Sequence, residues 1–192
     1  MHLIEGGNEK MLYPNPKNQH PKISETAWIS ENAVIVGDVT IGDNVYVAHN
    51  VIIRADEPGS SIVIGDNCNV QDAVIIHGLG GSKVEVKNNT SLAHGCIVHG
   101  PCTIGEGCFV GFGAVVFDCK IGDDVIILHN STVRAVDIPS CKVVTDGQVI
   151  TEQAKVGELE DICPDLKKFK KSVINANLKL VEGYTNLAQD TN

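Results

Sequence analysis

Three histidines, His77, His94 and His99, lie within one short stretch of the chain. Neutral imidazole is the commonest protein ligand for a transition metal, and three of them with one position left open make a catalytic site rather than a structural one. Whether these three can meet depends on the elements that carry them. A period of six supplies the frame. Ile29, Ile35, Ile41, Val47 and Ile53, then Ile64, Val70 and Ile76, then Val86, Leu92, Val98, Ile104, Val110 and Val116 each open a hexad. The pattern slips once, between Val116 and Ile121, and resumes with Ile127, Val133, Ile138 and Val144 to about Ile150. The fifth position stays small or β-branched (Ala33, Val39, Cys68, Cys96, Cys108, Ala114), as a narrow interior requires, and Gly, Asp and Asn fill the corners. Three hexads make one coil of a parallel β-helix, with a strand on each face of a triangular prism.

On this frame Arg54, His77 and His99 each follow the leading aliphatic residue of the same face. Equal positions in adjacent coils are about 4.8 Å apart, so His77 and His99 project side by side. His94 comes two residues after Leu92, on a different face, and can join them only from a neighbouring prism. The spacing therefore implies a closed oligomer, and a ring of three is the simplest closure for a prism that uses two faces. His2, His20, His49 and His129 are read as surface or satisfied histidines. The last two share the slot of His94 but stand two coils away, about 10 Å off.

The β-helix is expected over residues 29–150, after an irregular lead-in over 1–28 that holds Pro14, Pro16 and Pro21. Residues 151–192 lose the period. There Pro164-Asp165 suits a first helical turn, and Leu166, Phe169, Val173, Leu180 and Tyr184 recur at helical spacing, so a C-terminal α-helix is expected along the prism. Lys167, Lys168, Lys170 and Lys171 read as its solvated face. A net charge of −9 argues against nucleic acid or an anionic membrane as partner, and no apolar run reaches the length of a membrane span. The opening Met1-His2-Leu3-Ile4-Glu5-Gly6-Gly7 lacks the form of a signal peptide, and seven cysteines without framework spacing suit a reducing compartment, so a cytoplasmic location is expected. Cys68, Cys96, Cys102 and Cys108 fall at the inward fifth position and are read as core.

Arg54-Ala55-Asp56-Glu57, Asn69-Val70-Gln71-Asp72, His77 and His94-Gly95-Cys96-Ile97-Val98-His99-Gly100-Pro101 together resemble the γ-class carbonic anhydrases in order and spacing. The resemblance runs from about Ile29 to Asn177 and Glu182-Gly183-Tyr184. It implies a left-handed β-helix, a homotrimer, and a metal held at the subunit interface by His77, His94 and His99: Zn²⁺, with Fe²⁺ or Co²⁺ possible. The implied reaction is interconversion of CO₂ and bicarbonate by a metal-bound hydroxide, since a tri-histidine cation lowers the pKa of bound water to about 7. By the same resemblance Gln71 orients that hydroxide, and Asn177 positions CO₂ or bicarbonate. Arg54 and Asp56 form an inter-subunit ion pair, with Arg54 also able to hold a bicarbonate oxygen, and Glu57 is assigned to proton transfer. Asn177 has a second warrant, because it shares the apolar stripe of the helix and should face inward. Two departures stand out. The archaeal prototype has an acidic loop after the first metal histidine where this chain has Gly78-Leu79-Gly80-Gly81-Ser82-Lys83, and a tyrosine where this chain has Asn175.

Two other functions fit the repeat. One is a non-catalytic scaffold subunit that keeps the trimer and even the metal, which the missing acidic loop favours. The other is an acyltransferase using a histidine base and coenzyme A, which would not need three convergent histidines.

Overall fold

The computed structural model describes residues 10–190; His2 and the opening segment 1–7 lie outside the described residues. The hexads form a left-handed parallel β-helix closed by a C-terminal helix. Ile75–His77 pairs in parallel with Ile52–Ala55 below and Ile97–Ile104 above, and the same stacking continues through Val115–Ile121, Thr132–Arg134 and Val149–Ile150. Period two within each strand decides the rest. Ile53, Ile76, Val98, Val116 and Val133 turn inward and are fully buried, while Arg54, His77, His99, Phe117 and Arg134 turn outward in one column. The inward cysteines pack as small hydrophobes, and burial pushes the thiols of Cys68, Cys96, Cys102 and Cys108 up to about 12.

The solenoid starts earlier than expected. Met11–Tyr13 pairs with Val34–Gly37, Lys22–Ile23 with Val39–Ile41, and Trp28–Ile29 with Tyr46–Val47, so the expected irregular lead-in supplies strands of its own. Its prolines fall in the bend between Tyr13 and Lys22, where no ladder N–H is needed. The slip after Val116 is absorbed at the corner near Asp118, which takes φ 54°.

The helix spans Pro164–Asp190 with Pro164 and Asp165 in its first turn. Its inward stripe is Leu166, Lys170, Val173, Asn177, Val181 and Tyr184, whereas Phe169 and Leu180, expected on that stripe, are exposed at its borders. Lys170 is thus not on the solvated face. It is buried, and its ammonium donates to the Gly107 carbonyl (2.6 Å) and to Asp124 Oδ1, tying the helix to two corners of the solenoid. Tyr184 stacks on Trp28 at 4.3 Å, and Trp28 on Tyr46 at 5.0 Å, fixing the far end. Among the described residues no helix is long and apolar enough to cross a membrane.

Candidate metal centre

His77 and His99 are register partners on neighbouring coils. The Nδ1–H of His99 donates to the Gly100 carbonyl at 2.9 Å, so its Nε2 is the bare, accepting nitrogen. His77 Nδ1 lies 3.0 Å from that Nε2 and therefore carries the shared proton, which leaves His77 Nε2 to accept from Arg54 Nη2 at 3.3 Å. One carbonyl thus sets the tautomer of both rings, the kind of supporting contact that orients metal-binding histidines. Burial, then the positive charge of Arg54, then His99 hold His77 below the usual histidine pKa, despite Glu57 and Asp56 nearby. The ring is neutral at pH 7, the form that binds a metal.

Tested against a divalent metal, this pair fits. Ligand nitrogens on a tetrahedral zinc lie about 3.3 Å apart, close to the 3.0 Å between His77 Nδ1 and His99 Nε2, where an ion would take the place of the shared proton. A third observation agrees: Asp56 Oδ1 is buried without a hydrogen-bond partner, 3.7 Å from His77 Nε2, so a carboxylate oxygen faces the rings lacking the donor or cation it requires. Within one chain the set is incomplete. Among the described residues no three His, Cys, Asp or Glu side chains converge on one point. His94 stands at a corner after Ser91–Leu92, half exposed, with Nδ1 3.0 Å from Asp72 Oδ2 and its ring 5.3 Å from that of Phe112.

The surrounding polar residues divide. Gln71 is held by Asn69, to which the sequence motif assigns no role: its Nε2 donates to Asn69 Oδ1 (3.1 Å), while Asn69 Nδ2 donates to Ser91 Oγ (2.8 Å). With its nitrogen tied down, Gln71 presents its carbonyl oxygen. The signal was available, because Asn69 and Ser91 interrupt a column otherwise made of Trp28, Tyr46, Phe109 and Ile126. Arg54 Nε meets Asp56 Oδ2 at 3.4 Å within one chain, the two residues flanking Ala55 at one strand end. Glu57 Oε2 accepts the Gly80 N–H at 2.7 Å and Oε1 stands 3.5 Å from His77 Nε2. The loop that lacks a carboxylate thus holds one in place. Asn177 is buried against the solenoid, with Nδ2 donating to its own helix at the Val173 carbonyl (2.8 Å).

Comparison with known proteins adds kinship to this geometry. The family described as bacterial transferase hexapeptide (six repeats) matches residues 20–55 and 83–117. A carbonic anhydrase of Methanosarcina thermophila is 36% identical over an alignment covering 88% of this chain and 77% of that protein. The carboxysome assembly protein CcmM of Nostoc is 37% identical across 85% of this chain, but the chain spans only 31% of that protein's length. Among solved structures, a Bacillus cereus protein assigned to the acetyltransferases superposes with a TM-score of 0.81 over 93% of this chain and 98% of its own, at 24% identity, a likeness of fold.

Proposed function

The chain belongs to the γ-class carbonic anhydrase family, and from that premise we propose that it is a metal-dependent carbonic anhydrase acting as a ring of three. The observation that carries the proposal is the rung pair of His77 and His99, with facing nitrogens 3.0 Å apart, on one face of a solenoid whose third histidine lies at a corner of the coil that carries His99. His77 and His99 of one copy and His94 of the next would hold the ion, and an all-imidazole set suits Zn²⁺, with Fe²⁺ or Co²⁺ as alternatives. When bound, such an ion is a Lewis acid that makes water acidic near neutral pH.

The chain's own residues serve the steps around it. The Gln71 carbonyl oxygen accepts a hydrogen from the attacking water and aims its lone pair at CO₂. Arg54 offers guanidinium N–H groups to an oxygen of the bicarbonate that forms. Glu57, fixed by Gly80 and still in contact with solvent, takes the released proton at Oε1 and passes it to buffer. Asn177, buried where the helix packs on the face formed by Tyr46–Val47 and Ser91–Leu92, steadies the substrate through the remaining N–H of its amide.

Stopped-flow CO₂ hydration, on protein prepared without oxygen and loaded separately with Zn²⁺ and Fe²⁺, tests the proposal. Activity in at least one form that disappears in His94→Ala supports it. About one bound ion per chain with no turnover would contradict it and favour the scaffold reading, to which the kinship with an assembly protein lends weight. A protein that binds no metal would point to the acyltransferase reading.

A further inference from the structure

Each coil repeats one spacing. A corner residue is followed three positions on by an outward residue and five positions on by a residue of the histidine column: His94, Ile97, His99 in one coil and His129, Thr132, Arg134 in another. The corners themselves stack. Strand register places His49, Asp72, His94, Phe112, His129 and Asp146 in one column, and backbone bonds from the residue after each corner to the corner carbonyl below it hold that column together.

The metal proposal fixes how the two columns meet. In its own chain His94 already has a height along the solenoid between those of His77 and His99. For rotation alone to bring a copy's His94 between another copy's His77 and His99, the rotation must preserve height, so its axis runs parallel to the solenoid. Every other corner then meets the neighbour's column at its own height as well. Phe112 falls between His99 and Phe117, and Arg134 falls between His129 and Asp146. The protein's two arginines, Arg54 and Arg134, both stand in this column, at its lower and upper parts, although the chain carries 15 basic residues. Arginine in such a place is suited to an interface ion pair. Among the described residues no ion pair joins Arg134 to its own chain, and Asp146, which accepts the His129 N–H at 2.9 Å, is exposed.

We infer that Arg134 of one copy pairs with Asp146 of the partner subunit, a lock that sets the axial register of the ring above the metal site. The inference rests on the three-copy reading and adds a contact that takes no part in the chemistry. It is tested by charge reversal: Arg134→Asp, Asp146→Arg and the double reversal, each followed by sedimentation velocity over a dilution series in the full-length protein, with circular dichroism to monitor folding. Either single reversal sets like charges against each other at three interfaces and should raise the dissociation concentration about tenfold or more, and the double reversal should restore it. A wild-type ring left unchanged by both single reversals would overturn the lock and leave the three-copy reading intact. A wild-type protein that sediments as a monomer when metal-loaded would overturn that reading instead. If Asp146→Arg fails to fold through loss of its corner bond, Arg134→Asp alone still decides, since among the described residues Arg134 has no ion pair in its own chain to lose.

Discussion

Ile76 and His77 are adjacent in one strand, as are Val98 and His99, yet their side chains answer to different demands. The inward residue of each pair is fully buried among aliphatic neighbours of the coils above and below, and nothing about it bears on chemistry. The outward residue stands on the outer surface of the solenoid and belongs to the candidate site. Period two separates stability from function at the resolution of one residue. A repeat fold can therefore keep its interior monotonous while its surface columns change from chain to chain.

Mutations can break that separation or sharpen it. Ile76→Ala should cost about 2–5 kcal/mol of stability in urea denaturation of the metal-free protein, because the neighbouring coils cannot collapse into the space, while molecules that remain folded keep their metal. The latch between helix and solenoid lies outside the repeat and should come next. Lys170→Ala leaves the Gly107 carbonyl without its donor and should cost about 1–3 kcal/mol, with hydrogen exchange rising first in the helix. Ala73 occupies a corner at φ 59° where equivalent corners carry Gly or Asn, so Ala73→Gly should raise stability by about 1 kcal/mol in the same assay. His77→Gln should leave the metal-free protein within about 0.5 kcal/mol of its parent while abolishing metal uptake, measured by elemental analysis. Loss of several kcal/mol from His77→Gln would mean that the outward column is structural after all.

The solenoid was legible because its signal repeats: a leading aliphatic residue every six positions outvotes any local irregularity. The same count put His77 and His99 on one rung and His94 elsewhere. The helix was harder. Its inward stripe includes Lys170, and no hydropathy rule places a lysine inward when the partner that neutralises it, Asp124, lies on a distant corner. Sequence distance hid what fixes Glu57, since that group is the backbone N–H of Gly80, and a backbone donor has no signature in residue type. The Arg54–Asp56 contact within one chain follows from parity. Two residues of like parity on one strand end point the same way and close locally before any neighbour is needed.

The central claim is a metal site divided between copies, and complementation tests it most directly. His94→Ala and the double variant His77→Ala/His99→Ala, each metal-free alone, are mixed in equal amounts under conditions that exchange subunits, then loaded and purified. An interface with an intact histidine pair on one side and an intact His94 on the other forms at random in about a quarter of contacts, so the mixture should bind about a quarter of the wild-type metal and regain activity in proportion. A mixture as empty as its parents, or a His94→Ala protein that retains full metal alone, would contradict a site shared across the interface.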